Sequence, residues 1–154
     1  EGIVRLAGLK RPESLIAGFE PRPWSWTGEF DRFVAKASAG YQVARDDRGR
    51  DQLAALLRLC RDSGIHVILV FSPEYAAVRP LQLNRASLLA EMSALAASAH
   101  VPLWDFSDTA ICSDRRLFYN SQHLNAAGAE AFSRELARRL VSSGYTAPRL
   151  TSHP

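Results

Sequence analysis

The hydrophobic residues of several segments repeat every three or four positions, which is the spacing of one face of a helix. This spacing precedes Ser63-Gly64, a pair that is typical of a helix end, and it recurs over residues 81–99 and 125–141. Residues 27–39 fit a shorter helix with the same pattern. The pattern therefore predicts amphipathic helices along most of the chain.

Two mainly apolar runs lie between these helices and predict β-strands. The first, residues 66–71, is rich in Val and Ile, and the second, residues 101–106, is entered through Pro102. A strand without polar alternation is typical of a parallel sheet that has helices on both faces. Because helices and strands alternate, we expect an α/β fold with three layers, a mostly parallel sheet and right-handed crossovers.

Two strands are few for such a sheet, which usually has about four or more. We divide the chain into an irregular N-terminal segment (residues 1–47), an α/β region (residues 48–144) and a loose tail (residues 145–154). We expect the α/β region to be a partial domain, whose other strands lie within residues 1–47 or outside this chain. Residue 1 is Glu and no signal peptide follows it, so we expect the chain to be processed or cut from a longer protein.

Composition favours a soluble globular domain over a disordered or rod-like chain, because 47% of the 154 residues are hydrophobic and 23% are charged. The net charge is +3, but the arginines are scattered among Asp and Glu and form no basic run with interleaved aromatic residues. We therefore expect no nucleic-acid partner. No apolar run approaches the ~20 residues of a transmembrane helix, so we expect no transmembrane segment in this chain.

Metal, phosphate and disulfide chemistry are not indicated by the sequence. No set of His, Asp and Glu has the spacing of metal ligands, and no glycine-rich loop follows a strand as it does in nucleotide-binding proteins. Cys60 and Cys112 belong to no Cys-x-x-Cys pair, and we expect both to be reduced or packed as small apolar groups. We predict neither a metal nor another cofactor.

Ligands of open α/β sheets bind at the carboxyl ends of the strands, and one polar segment near a helix start carries the most chemistry. In this segment, His123 can present one ring nitrogen to a nucleophile, while Asn120 can hold the other nitrogen. Asn125 is a competent N-cap for the helix, and Gly128 allows close approach of that helix to the sheet. The pattern predicts a base and its orienting residue on a loop over residues 118–125.

These residues also resemble a known family. The segment Asn120-Ser-Gln-His-Leu-Asn-Ala-Ala-Gly128 resembles the last block of the SGNH (GDSL-like) hydrolases, which reads Asp-x-x-His and continues His-x-Asn-x-x-Gly before the C-terminal helix. Residues 64–73 are similar to the strand that precedes this block, and the likeness extends over residues 51–140. It is greatest to SGNH-like proteins that work with membrane-bound O-acyltransferases, and it implies an SGNH-hydrolase-like (flavodoxin-like) fold.

The resemblance implies an esterase or O-acyltransferase that acts on acyl esters, with acetyl as the first choice, of a cell-envelope polysaccharide or exopolysaccharide. His123 would be the general base and then the general acid, and Asn120 or a neighbouring Asp would hold its Nδ1. The resemblance also implies a carbohydrate or other acyl-ester substrate and a membrane-bound O-acyltransferase as partner. It implies an extracytoplasmic location, either periplasmic or membrane-anchored through a missing N-terminal part.

The sequence departs from the family in two ways. The family has Asp where this chain has Asn120, and the chain contains neither Gly-Asp-Ser nor Gly-x-Ser-x-Gly, so no nucleophile block is recognisable. One explanation is that the Ser nucleophile lies outside this chain. The alternative is a non-catalytic module that binds glycan or a membrane-bound acyltransferase, and Asn at position 120 favours that alternative.

Several polar and aromatic residues near the predicted strand ends are candidates for substrate binding: Ser72, Tyr75, Asp105 and Tyr119. Asp105 and Asp108 are also alternatives to Asn120 as the residue that orients His123. Trp24 and Trp26 form a carbohydrate platform or cover an edge of the sheet. For each of these residues, an ordinary role in packing or in a loop remains open.

Overall fold

The structure is a computed structural model that describes residues 23–145. The segment predicted over residues 1–47 and the tail predicted over residues 145–154 therefore lie partly outside the described residues.

The described part is a mixed α/β structure with one parallel strand pair. Its helices and strands, in chain order, are α1 (Glu29–Lys36), α2 (Asp47–Asp62), β1 (Leu69–Phe71), α3 (Arg85–Ser98), β2 (Leu103–Asp105), β3 (Phe118–Asn120), β4 (His123–Leu124) and α4 (Ala126–Ser142). Short 3₁₀ helices occupy Ala76–Leu81, Ala110–Ser113 and Arg115–Leu117.

A side-chain cap at one end of helix α2 and a glycine after the other end explain where the helix begins and ends. The Asp46 side chain accepts a hydrogen bond from the backbone N–H of Gly49 at 2.8 Å and caps the first turn. Ser63 caps the other end, and Gly64 follows with a φ of +68°, a left-handed conformation that favours glycine. The predicted helix end at Ser63-Gly64 is thus confirmed.

The segment before α3 differs from the prediction of one helix over residues 81–99. The backbone N–H of Tyr41 donates to Leu81 O at 2.7 Å, and the N–H of Leu83 donates to Tyr41 O at 2.9 Å. These bonds form an isolated parallel bridge in place of a helical turn. Because Leu81 and Leu83 use these backbone groups to pair with Tyr41, the chain forms a 3₁₀ helix first and α3 starts at Arg85.

β1 and β2 pair in parallel, as predicted, with Leu69 opposite Leu103 and Phe71 opposite Asp105. Each strand has three residues and is shorter than its apolar run. Val70, the middle residue of β1, is 39% exposed. The described helices leave the face that carries Val70 partly open to solvent.

The core lies beside the carboxyl ends of β1 and β2. Its most deeply buried side chains are Pro73, Val78, Cys112 and Phe118. The Cys112 thiol donates to the carbonyl oxygen of Phe106 at 3.3 Å, and Cys112 and Cys60 are both free. Because Phe118 begins β3, the core anchors the segment that leads to His123. No helix among residues 23–145 combines the length and the apolar character that a membrane span requires.

Candidate active site

His123 lies in a tight β-hairpin, formed by β3 and β4, that precedes α4. Asn120 stands opposite His123 in the antiparallel register. The Asn120 side chain makes the turn, because its Oδ1 accepts hydrogen bonds from the backbone N–H groups of Gln122 at 3.0 Å and His123 at 2.9 Å. The expectation of a loop over residues 118–125 was therefore wrong, since these bonds close the segment into a hairpin.

Asn125 and Gly128 fix the hairpin to α4. The Oδ1 of Asn125 accepts a hydrogen bond from the N–H of Gly128 at 3.0 Å, and its Nδ2 donates to the carbonyl oxygen of Arg116 at 2.8 Å. The predicted N-cap is confirmed. Gly128 approaches the carbonyl oxygen of Leu117 so closely that a Cβ at this position would overlap it. The close approach is therefore to the segment before β3 and not, as expected, to the parallel sheet.

The hairpin is also attached to the segment that follows β1. The backbone N–H of Tyr75 donates to the carbonyl oxygen of Ser121 at 2.9 Å. This contact brings His123 to the carboxyl end of β1. An open cleft of about 410 Å³ lies there, and it is lined by Ser72, Pro73, Tyr119, Gln122, His123 and Leu124.

The side chains of Asn120 and His123 form one hydrogen bond, with 2.9 Å between Asn120 Oδ1 and His123 Nδ1. The two backbone N–H groups that bond to Oδ1 identify this atom as the oxygen, because an amide nitrogen cannot accept them. An oxygen at this position requires Nδ1 to carry the proton. The neutral imidazole therefore has its lone pair on Nε2, which is the form of a general base.

This geometry changes what Asn at position 120 implies for the tautomer of His123. In serine proteases, replacing the orienting Asp by Asn lowers kcat about 10⁴-fold by favouring the wrong tautomer. Here the backbone bonds keep Oδ1 and not Nδ2 towards the imidazole, so Asn120 supports the productive tautomer. What Asn120 lacks is the negative charge that stabilises the imidazolium.

Aromatic rings extend from the His123 imidazole. The Tyr119 ring stacks on the imidazole, with 5.4 Å between centroids and 15° between planes. The Trp24 ring meets Tyr119 edge to face at 5.2 Å, and half of the Trp24 surface is exposed. The Tyr119 ring restrains the imidazole, and the rings of Tyr119 and Trp24 offer an apolar surface beside the cleft. The Trp24 ring thus contacts a residue that lines this cleft, whereas the Trp26 ring packs in an aromatic cluster with Phe30.

The other candidates from the sequence divide between the cleft and the core. Ser72 is exposed and lines the cleft with Tyr119. Tyr75 does not line the cleft, because its ring packs against Trp26 at 5.0 Å and Phe30 at 5.7 Å. Its contribution is the backbone bond to the hairpin, and its side chain packs in an aromatic cluster.

Asp105 and Asp108 make bonds elsewhere. The Oδ1 of Asp105 accepts a hydrogen bond from the backbone N–H of Ser107 at 2.7 Å, and Asp108 pairs with Arg79 at 3.2 Å. The structure therefore brings Asn120, and neither of the two alternatives, to Nδ1 of His123. Asp105 stands at the end of β2, but it does not line the cleft.

Two features of this region had no role in the sequence analysis. Gln122 lines the cleft, and no sequence pattern singles it out, because Ser121-Gln122 is not a usual two-residue hairpin turn. The second feature is an ion pair between Arg85 and Glu74, with 2.6 Å between Arg85 Nη1 and Glu74 Oε2 and with both side chains about 15% exposed. No local sequence pattern joins these two residues, which are eleven positions apart.

One ion pair stabilises the turn that leads into β3. The Asp114 carboxylate accepts hydrogen bonds from Nε and Nη2 of Arg116, each at 2.9 Å, and from the Arg116 backbone N–H at 3.0 Å. These bonds lower the pKa of Asp114, and the same pairing raises the pKa of Arg116. The pair is next to Leu117, whose carbonyl oxygen accepts a hydrogen bond from the N–H of Asn125.

Comparison with known proteins gives no family assignment. No protein-family model, no curated protein and no solved structure matches this chain. Among residues 23–145, no group of three or more His, Cys, Asp and Glu side chains is placed to hold a metal ion. None of these comparisons supports the resemblance to the SGNH hydrolases, which remains an expectation from the sequence over residues 51–140.

Proposed function

We propose that this chain is part of an SGNH-like esterase or O-acyltransferase that acts on acyl esters, with acetyl as the first choice, of a cell-envelope polysaccharide or exopolysaccharide. The observation that carries the proposal is the bond between Asn120 Oδ1 and His123 Nδ1. Because the oxygen is held by two backbone donors, Nε2 of His123 is free to accept a proton.

The proposed reaction is acyl transfer through a serine outside this chain. Nε2 of His123 takes the proton of the serine hydroxyl while the serine oxygen attacks the ester carbonyl carbon. The protonated imidazole then gives that proton to the sugar oxygen as the carbon–oxygen bond breaks, which leaves an acyl-serine. The same imidazole then deprotonates water or an acceptor hydroxyl, whose oxygen attacks the acyl carbon. The imidazolium returns this proton to the serine oxygen as the acyl–serine bond breaks. Asn120 keeps the Nδ1 proton in place throughout.

The rings beside His123 support a saccharide as the substrate. Tyr119 and the half-exposed Trp24 provide aromatic surface at the cleft, and sugars pack their apolar faces on such rings. The proposal includes a location outside the cytoplasm and a membrane-bound O-acyltransferase as partner. The partner and the location follow from the proposed family alone.

A non-catalytic module is the second candidate. The observation that favours it is the neutral Asn120, which gives the imidazolium no anionic partner. In that case the cleft and the Trp24–Tyr119 surface would bind a glycan or a membrane-bound acyltransferase, and the chain would catalyse no reaction. Turnover by the full-length protein separates the two candidates.

The test measures hydrolysis of p-nitrophenyl acetate and release of acetate from an acetylated polysaccharide by the full-length protein that contains this chain. We expect the His123→Ala variant to lose kcat by at least about 10³-fold, because no other side chain among residues 23–145 holds the position of the base. His66→Ala is the matched control, since His66 is exposed and outside the cleft. It should retain full activity.

The 154-residue chain alone should show negligible turnover, because the nucleophile is proposed to lie outside it. Turnover by this chain that is lost in Ser72→Ala would instead assign the nucleophile to Ser72. Full activity of His123→Ala in the full-length protein would contradict the esterase proposal and favour the binding module.

A further inference from the structure

The ring of Tyr119 and the side chain of Asn120 both hold the His123 imidazole. Tyr119 stacks on the imidazole with 5.4 Å between centroids and 15° between planes, and Asn120 Oδ1 lies 2.9 Å from His123 Nδ1. Tyr119 and Asn120 are consecutive residues of β3. Because consecutive side chains of a regular strand point to opposite faces, a regular β3 would not bring both of them to one ring.

A β-bulge at Tyr119 explains how both residues reach the imidazole. Phe118 pairs with Leu124 and Asn120 pairs with His123, so Tyr119 is one extra residue on β3. A bulge bends its strand and changes the direction of a side chain. The fully buried Phe118 fixes the strand before the bulge, and the turn made by Asn120 fixes it afterwards.

The imidazole needs more than one contact to keep a fixed orientation. His123 is exposed, so the protein does not enclose its ring. A hydrogen bond tolerates a range of angles, and the bond from Nδ1 to Asn120 alone leaves the ring able to tilt. A stacked ring restricts that tilt. The two contacts together therefore define the direction of the Nε2 lone pair, which a general base must aim at the proton it accepts.

The contacts of Tyr119 also separate its role from that of Trp24. The imidazole engages one face of the Tyr119 ring, and the Trp24 ring meets Tyr119 edge to face at 5.2 Å. Tyr119 is half-buried, whereas 51% of Trp24 is exposed. The aromatic surface that is open to a ligand therefore belongs mainly to Trp24.

We propose that Tyr119 is a positioning residue, whose stacked ring fixes the plane of the His123 imidazole, and that Trp24 supplies the aromatic surface that binds sugar. The effect of Tyr119 on the rate rests on the proposed acyl transfer. Its effect on the imidazole does not, because the stack and the bond to Asn120 exist without substrate. The two effects can thus be measured separately.

The first test is kinetic and uses the full-length protein with p-nitrophenyl acetate and with an acetylated polysaccharide. Tyr119→Leu removes the flat ring but keeps an apolar side chain, and it should lower kcat about tenfold on both substrates with little change in KM. Tyr119→Phe keeps the stack and should retain kcat to within about twofold. A sugar-binding role of Tyr119 would instead raise KM for the polysaccharide and leave kcat on the small ester unchanged.

Two further variants complete the kinetic test. Tyr145→Leu is the control, because Tyr145 is also a partly exposed tyrosine but lies outside the cleft. It should leave kcat unchanged on both substrates. Trp24→Ala should raise KM for the polysaccharide about fivefold, because the sugar loses its aromatic surface.

The second test follows the imidazole itself by NMR in the ¹⁵N-labelled 154-residue chain at alkaline pH, without turnover. The imidazole ¹⁵N shifts report which nitrogen carries the proton, and the parent chain should have it on Nδ1. Tyr119→Leu should show exchange between the two tautomers, because a tilting ring breaks the bond to Asn120 for part of the time. It should also lose the ring-current shift of the imidazole protons. Tyr119→Phe should keep both signatures.

Three results would overturn the positioning role: an unchanged kcat in a folded Tyr119→Leu variant, an equal loss of kcat in Tyr119→Phe and Tyr119→Leu, and identical imidazole signals in the parent and Tyr119→Leu. Tyr119→Met carries the same expectations and replaces Tyr119→Leu if that variant does not fold. A full-length protein without turnover, whose imidazole signals still change in Tyr119→Leu, would contradict the proposed acyl transfer and support the positioning of the ring.

Discussion

The backbone N–H of Tyr75 donates to the carbonyl oxygen of Ser121 at 2.9 Å, and this bond joins the segment after β1 to the turn of the His123 hairpin. Tyr75 lies four residues beyond the end of β1, and Ser121 lies two residues before His123. A single main-chain contact thus brings the candidate base to the carboxyl end of the parallel strands. The position of the imidazole depends on the hairpin and on this attachment together.

The first prediction concerns the charge beside His123. In the full-length protein, Asn120→Asp should raise kcat by about tenfold, because a carboxylate stabilises the imidazolium and accepts the same two backbone N–H groups. Asn120→Ala should lower kcat, but much less than His123→Ala does. Steady-state kinetics on p-nitrophenyl acetate measures both effects. An Asn120→Asp enzyme that is no faster than the parent would show that charge at this position does not limit the reaction.

The second prediction concerns the contact between α4 and Leu117. Gly128→Ala should destabilise the chain by about 3 kcal/mol, because the new methyl group overlaps a backbone carbonyl oxygen that cannot move without its neighbours. Gly28→Ala is the control, since a Cβ at Gly28 meets only the end of the Arg32 side chain at 3.4 Å. Urea unfolding followed by circular dichroism gives both values. Equal stabilities of the two variants would contradict the close approach.

The third prediction separates the cap made by the Asn125 side chain from the hydrogen bonds that its Nδ2 donates. Asn125→Ala loses the cap on Gly128 and the donor to the carbonyl oxygens of Arg116 and Phe118, and we expect a loss of about 2 kcal/mol. Asn125→Ser keeps an acceptor for the cap and should recover about half of this loss. Thermal unfolding of both variants measures the difference. If Ser and Ala were equivalent here, the cap would not contribute to stability.

The fourth prediction concerns stability at acid pH. Because Arg116 lowers the pKa of Asp114, this pair stabilises the folded chain above the ordinary carboxyl pKa, and the contribution is lost as the pH falls through the lowered pKa. Asp114→Asn keeps the acceptor for the Arg116 backbone N–H but not the charge. Its Tm should therefore lie below that of the parent above about pH 4 and approach it in more acidic solution.

Thermal scans from acid to neutral pH give the comparison, and the difference should be small because both side chains are near solvent. Added salt should reduce it further, because exposed ion pairs are screened. A Tm difference that persists unchanged at the acid end of the series would contradict the assignment to charge pairing.

The sequence predicts most reliably the features whose hydrogen bonds join residues that are close together in the chain. The end of α2 at Ser63-Gly64 and the N-cap at Asn125 follow from residue types at fixed spacing, and both are found. The pairing of Asn120 with His123 follows from their separation of three positions, and it is also found. In each case the bonds that form the feature lie within four consecutive residues or one helical turn.

The missed features depend on contacts between distant segments. The hairpin escaped prediction because Ser121-Gln122 is not a usual two-residue turn, and the turn relies on the Asn120 side chain instead. Helix α3 starts late because residues 81–83 bond to Tyr41, about forty positions earlier. The ion pair between Arg85 and Glu74 needs the start of α3 to meet the segment after β1, and no periodicity of the sequence signals that meeting.

The Asn120–His123 turn has a consequence for how substitutions will affect this protein. The bonds that orient the imidazole through Asn120 lie within four consecutive residues, whereas the groups that hold the hairpin in place, such as Asn125 and Gly128, lie outside them. Changes at the exposed His123 side chain should therefore alter the rate per folded molecule and leave the unfolding transition almost where it was. Changes at Asn125 or Gly128 should chiefly alter the number of folded molecules. Kinetic and thermodynamic phenotypes should thus separate along the chain, within a stretch of nine residues from Asn120 to Gly128.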